Sequence, residues 1–225
     1  MSKNFFLKFL NKKKYLELKY KHKRDENISI YNENIKIKIL SIQEKIEKKN
    51  ELNFLHSGHL GDIIYSLPTI KKISQKKKCN LFIEKNKLNS QFYYNHPSGN
   101  TMINEKSLSM LLPLLKSQNY LNTVKEFQNE EIDVNLNLFR EMPFNIVFHS
   151  IRWYLHLAGV QINTEESFLD VGNINDFKNK ITILRSPRYR NQFIDYNFLS
   201  NFKNIVCIGL ESEFLDLKKE IKNLE

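Results

Sequence analysis

Gly58, Gly61 and Asp62 stand within five residues in "LNFLHSGHLGDIIYSLPTI", residues 52–70. The chain has only six glycines, and two of them fall directly before a carboxylate. A glycine lets the backbone turn tightly and come close to a ligand. A helix starting just afterwards offers unpaired N–H groups and a partial positive charge. In its first turn Asp62 is, on the plainest reading, an N-cap stabilising the helix by about 0.5–2 kcal/mol. Aimed into a cleft, the same carboxylate is a general base for a hydroxyl. His56, His59 and Asp62 recur every three residues. They straddle a strand end, a turn and a helix start, so a shared metal-ligand face is not expected. The histidines are expected to line the cleft beside Asp62.

Other residues are candidates for the same cleft. Asn137 and Arg140 end "VNLNLFRE" and are expected on the face of Asp62, with Arg140 suited to a ligand carboxylate or phosphate. On "HSIRWYLHLAGV", His149 and Arg152 are expected to face the cleft, with Trp153, Leu157 and Val160 in the core. The polar loop "HPSGNTMINEKS", residues 96–107, can contact a ligand or be an ordinary turn. Arg185, Arg188 and Arg190 place three guanidiniums in six residues, a clamp for a diphosphate. The alternative there is a solvated loop with one structural arginine. No Ser-His-Asp or Cys-His set has a supporting motif, and no phosphate loop of the Lys-Ser/Thr type occurs.

These residues need a scaffold, and the pattern supplies one. "LNFLH" and "CNLFIEK" read as strands, with a helix over "DIIYSLPTIKKISQKK" between them, apolar at 63, 64, 67, 70 and 73. "KSLSMLLPLLKSQNYLNTVKEF" reads as a helix kinked at Pro113 with a second piece near 116–122. "IDVNLNLF" alternates as a strand, and a helix ends near Gly159. "KITILRS" and "KNIVCIGL" are further strands, the second followed by a helix over "SEFLDLKKEIKNLE". Strand and helix in turn predict an α/β protein: a Rossmann-like parallel sheet over 50–175, then the start of a second Rossmann-like domain over 181–225.

"GHLGDIIYSLPTIKKI" resembles the opening motif of the family 9 glycosyltransferases, the heptosyltransferase-like enzymes. In that family a Gly-Asp turn follows the first strand, then an apolar helix start and Ser/Thr-Leu-Pro. Here these positions are Gly61, Asp62, Ile63, Ile64, Ser66, Leu67 and Pro68. The resemblance implies the GT-B architecture, with an acceptor domain first and a nucleotide-sugar donor domain second. It also implies that Asp62 is the base that deprotonates an acceptor hydroxyl. The implied reaction is metal-independent, inverting transfer of a sugar from a nucleotide-sugar to a glycan or lipopolysaccharide-type acceptor, with no cofactor. "ITILRSPRYRN" is placed like the loop that faces the donor phosphates. Residues 181–225 are fewer than a nucleotide-binding domain needs, so a fragment or a shortened relative with poor donor binding is expected.

The charge is uneven. Residues 1–49 hold 14 Lys/Arg against 6 Asp/Glu, whereas the other 176 hold 21 against 19. The basicity thus belongs to an N-terminal extension, and a nucleic-acid partner is not expected for the body. Residues 3–24 set Phe5, Phe6, Phe9, Leu10, Leu16 and Tyr20 among lysines, suiting an amphipathic helix on an anionic membrane face or a solvated helix packing a few aromatics. Residues 28–49 are expected to form a short strand and then a helix over "ILSIQEKIEKK". Two distant cysteines and the lack of a secretory signal point to a cytoplasmic protein, at most peripheral to the inner membrane face. Two other functions stay open: a non-catalytic sugar- or protein-binding module, and a membrane or polyanion binder acting through residues 1–49.

Overall fold

The computed structural model describes residues 8–88, 100–143, 150–163, 165–172, 176–185, 191 and 193–225. The chain divides into two compact units, residues 1–170 and 171–225.

The first unit opens with α1 (Lys12–Ile30), capped by Asn11, whose Oδ1 accepts from the Lys14 N–H at 3.0 Å. None of its residues is buried. A π-helical turn, Tyr31–Ile35, leads without interruption into α2 (Lys36–Lys48). The short strand expected after residue 28 is therefore helix. Ile37 is 65% exposed while Ile35, Ile39 and Ile42 bury. Spacings of four and three are helical, and no glycine or proline breaks the run. The π turn sets Tyr31 against His156, ring centroids 6.0 Å apart, with a 2.9 Å hydrogen bond between the hydroxyl and Nε2.

The sheet is wholly parallel, in the order β3-β2-β1-β4. It comprises β1 (Glu51–His56), β2 (Lys78–Ile83), β3 (Thr123–Glu126) and β4 (Val134–Asn135). This is an α/β fold with a Rossmann-like sheet. Phe54 pairs with Leu81 on one side and Val134 on the other. The helices are α3 (Leu60–Ser74), α4 (Glu105–Lys116) and α5 (Ile151–Ala158). Ile63, Leu67, Ile70 and Ile73 of α3 are buried in one core with Phe54, Leu81, Leu108 and Leu157, and Ile64, also expected apolar-inward, is half-buried. At the amino ends of the strands an asparagine ladder crosses the sheet. Asn80 donates to Asn53 Oδ1, and Asn122 donates to Asn80 Oδ1, both at 2.9 Å.

Two local readings are corrected. Helix α4 runs through Pro113 to Lys116, and the next piece is not helix but β3. The "IDVNLNLF" strand is only Val134–Asn135, followed by a 3-10 helix over Leu136–Glu141. Its alternation is used for burial, since Val134, Leu136 and Leu138 are all in the core. The ladder stops because Asn135 Oδ1 takes the Asn137 N–H at 3.0 Å, a local bond that competes with strand pairing. Gly159 ends α5 at φ +66°, where a side chain would also crowd Gln43 at 3.0 Å.

The second unit pairs β5 (Ile181–Leu184) with β6 (Ile205–Ile208), also in parallel, with α6 (Glu211–Glu220) after them. Ile183, Leu199, Ile205, Leu217, Ile221 and Leu224 form its core. The outer edge of β6 is partly covered by the last residues of the chain. The Glu225 N–H donates to Ile205 O at 2.9 Å, and the Cys207 N–H donates to Glu225 O at 3.0 Å.

Candidate functional site: the turn between β1 and α3

Strand β1 ends at His56, and α3 begins four residues later with His59 as its N-cap residue. Asp62 is thus the third helical residue and not the cap itself. Its Oδ2 accepts from the His59 backbone N–H at 3.1 Å, the reciprocal half of a capping box. The same Oδ2 accepts from Arg140 Nη2 in an ion pair, with the two side chains 23% and 27% exposed. Both bonds fall on one oxygen. Among the described residues, Oδ1 of Asp62 has no hydrogen-bonding partner.

The turn below is built closely. A Cβ on Gly58 would lie 2.6 Å from His56 Cε1 and 2.8 Å from Asp62 Cβ, so no other residue fits without a shift. At Gly61 a Cβ would meet nothing within 4 Å, so packing does not require that glycine. Asn137 joins the ends of β1 and β4, with its Oδ1 accepting from the Ser57 N–H at 2.8 Å and the Ser57 hydroxyl at 2.9 Å. Arg140 follows one turn later on the same 3-10 helix, its guanidinium 4.8 Å from the Phe139 ring centroid. The arrangement sits at the carboxyl ends of parallel strands, where open α/β sheets bind ligands.

His56 does not line the cleft. It is wholly buried, its Nδ1 accepts the Gly58 N–H at 2.9 Å, and its Nε2 lies 2.9 Å from the Tyr154 hydroxyl. With Nδ1 accepting, the neutral ring carries its proton on Nε2 and donates to Tyr154. Burial first, and the Arg140 charge second, push His56 down to about 3, so it stays neutral. Phe139 completes the packing, 5.0 Å from the Tyr154 ring. Tyr154 is itself fully buried and, mainly for that reason, hard to ionise. The expectation of a cleft histidine fails at position 56 because both ring nitrogens are used inside. His59 remains half-exposed at the start of α3.

The other candidates separate. Arg152 is exposed on α5 two residues before buried Tyr154, nearly the opposite side of a helix. Of the expected core residues on α5 and its end, Leu157 is buried, while Trp153 and Val160 are half-buried. His149, Arg188 and Arg190 lie outside the described residues, as do residues 96–99 of the polar loop. The rest of that loop turns inward: Met102 and Ile103 are buried, and Asn104 caps α4 by accepting the Ser107 N–H at 2.9 Å. Sequence reasoning missed Ser57, Phe139 and Tyr154. The signal for Tyr154 was its helical spacing from Leu157 and Ala158, both buried.

No family model matches this chain, and no curated protein or solved structure matches it significantly. The site therefore stands on its own geometry.

Arg185 is not presented as a clamp. It is 7% exposed, with Nε on Glu213 at 2.5 Å and Nη2 on Asp216 at 2.7 Å. It is the structural arginine of its loop. Cys79 is buried, and burial pushes its thiol up to about 12, far from a nucleophile's range. Among the described residues no group of three His, Cys, Asp or Glu is placed to hold a metal ion. Among them, too, no helix is long and apolar enough to cross a membrane. A groove lined by Tyr15, Leu18, His22, Glu26 and neighbours on α1 shares no residue with the Asp62 turn.

Proposed function

We propose that this chain is a glycosyltransferase-like protein, transferring a sugar from a nucleotide-sugar to a glycan acceptor in the cytoplasm, with Asp62 as the base. The observation that carries this reading is the asymmetry of the Asp62 carboxylate. One oxygen is anchored by His59 and Arg140, and the other has no protein partner among the described residues. A carboxylate fixed through one oxygen keeps the second aimed, which is what proton abstraction needs.

In the step so derived, Asp62 Oδ1 takes the proton of an acceptor hydroxyl. The freed oxygen pair forms a bond to the anomeric carbon. The bond from that carbon to the nucleoside diphosphate breaks on the opposite face, and the leaving group takes the electron pair. Configuration inverts. Arg140 orients Asp62, and it makes no second hydrogen bond among the described residues, so its other N–H groups can meet an acceptor carboxylate or phosphate. Arg185 is committed to Glu213 and Asp216 and does not supply a diphosphate contact.

A second reading, a non-catalytic sugar-binding module, is favoured by the ion pair itself. Arg140 already neutralises the only carboxylate of the turn, as a purely structural pair would. The test is release of nucleoside diphosphate from ADP-, UDP- and GDP-sugars with a panel of glycan acceptors. Since donor binding is expected to be poor, at best slow turnover at high donor concentration is expected, and Asp62→Asn is expected to reduce it by at least ~10²-fold. Glycan binding with no turnover supports the module instead.

A further inference from the structure

Helix α1 is a long element that unit one does not use. All of Lys12–Ile30 lies outside the core, with no buried residue. A helix of such length without tertiary packing is marginal in water, because packing and not propensity stabilises most protein helices. It carries Lys12, Lys13, Lys14, Lys19, Lys21, Lys23 and Arg24 against Glu17, Asp25 and Glu26. Just before it, Phe9 and Leu10 are 73% and 83% exposed.

We propose that this arm docks the protein on a bilayer rich in anionic lipid headgroups. The cations fall all round the helix, and those on the leaflet side lie against headgroup phosphates while Phe9 and Leu10 enter the acyl boundary. Two features select this partner. The first is charge complementarity: seven cations against three carboxylates leave a net charge of +4 on one exposed helix, matching a negative leaflet surface. The second is the apolar pair ahead of them. Stable peripheral binding takes two signals, an apolar anchor and a basic patch, and both are here in sequence. A nucleic acid would match the charge but not the leucine, since bases stack on aromatic rings. The apolar residues of α1 itself, Tyr15, Leu16, Leu18, Tyr20, Ile28 and Ile30, fall all round its circumference. No single apolar stripe exists on α1, so adhesion depends on charge more than on burial and is sensitive to salt. The proposal is independent of the reading of Asp62.

The test is sedimentation of the full chain with vesicles of phosphatidylglycerol and phosphatidylcholine, and with phosphatidylcholine alone. Binding is expected only to the anionic vesicles, and it should be lost between about 0.1 M and about 1 M salt, as the screening length falls from about 10 to about 3 Å. The triple variant Lys12→Ala, Lys13→Ala, Lys14→Ala should bind at least about tenfold more weakly. The variant Phe9→Ser, Leu10→Ser, with unchanged charge, should also bind more weakly. Both change exposed positions, so far-UV circular dichroism and the thermal midpoint should stay as in the parent chain. Equal binding to neutral vesicles overturns the proposal. So does tighter binding to a short duplex that ignores Phe9→Ser, Leu10→Ser, which makes the arm a nucleic-acid binder.

Discussion

Two arginine–carboxylate pairs stand near the carboxyl ends of two parallel sheets, and they do opposite things. Asp62 and Arg140 meet at the rim of the first unit, each about a quarter exposed. Arg185 and Glu213 meet inside the second, with side chains 3% and 7% exposed, and Asp216 accepts from Nη2 while Nη1 has no partner among the described residues. Residue type does not distinguish them. Burial does. A sealed pair is architecture, since breaking it strands a charge away from water. A rim pair can exchange partners, because water shares the cost of separation. Arg185, which looked like part of a ligand clamp in the sequence, belongs to the sealed pair.

The contrast breaks first at the sealed pair. Glu213→Ala should destabilise the second unit by about 3–5 kcal/mol, because Arg185 keeps its charge and loses its main partner. Hydrogen exchange over residues 181–225 reads this directly, and unchanged protection there would show that the pair is not structural.

Acid is the next lever, and it acts on the rim site from beneath. His56 is held neutral down to about 3, whereas an unfolded histidine titrates near 6.5. The folded value is depressed, so below about 6.5 the unfolded chain takes up a proton that the folded one refuses. Stability from this group is full above about 6.5 and falls toward 3, at up to about 1.4 kcal/mol per pH unit. Urea midpoints from pH 7 to 4 should show this slope, and His56→Asn should flatten it.

The two glycines of the turn give a smaller, signed effect. Gly58→Ala should cost about 1–3 kcal/mol, since its Cβ would overlap His56 and Asp62. Gly61→Ala meets nothing and should stabilise α3 by roughly 0.5–1 kcal/mol. If the space above Gly61 receives the acceptor, that stabler variant should also bind acceptor more weakly. Thermal melts and an acceptor titration decide between these outcomes.

Smallest is the rim pair itself. Arg140→Ala should change stability by no more than about 1 kcal/mol, measured by urea unfolding. A loss as large as that for Glu213→Ala would erase the distinction drawn between the two pairs.

Much of the frame was legible in the residues. The alternation of "LNFLH" and "CNLFIEK" with a helix between them predicts β1, α3 and β2, and unit two follows its two apolar runs. Asn137 and Arg140 were expected beside Asp62, and β4 brings them there by pairing with β1. What failed depended on distant partners or local competition. His56 precedes a glycine turn and looks like a cleft residue, yet its fate is decided by Tyr154, 98 residues away. Four residues of β3 were hidden inside a helical reading because "TVKE" carries one buried side chain, Val124. The strand after residue 28 failed because Ile35, Ile39 and Ile42, spaced by four and three, bury one helical face in the core.

The asparagine ladder at the far end of the sheet has a bearing on all of this. Greasy parallel strands such as "LNFLH" and "KCNLFI" gain nearly as much apolar contact one residue out of step as in step. A one-residue slip would send Asn53 to the opposite face from Asn80, leaving the buried Asn80 amide unmatched at about 1–3 kcal/mol. The ladder thus favours the in-step pairing of β1, β2 and the start of β3 over a slipped one. The Ser57–Asn137 hydrogen bonds play the matching part for β1 and β4 at the other end of the sheet, beside the Asp62 turn.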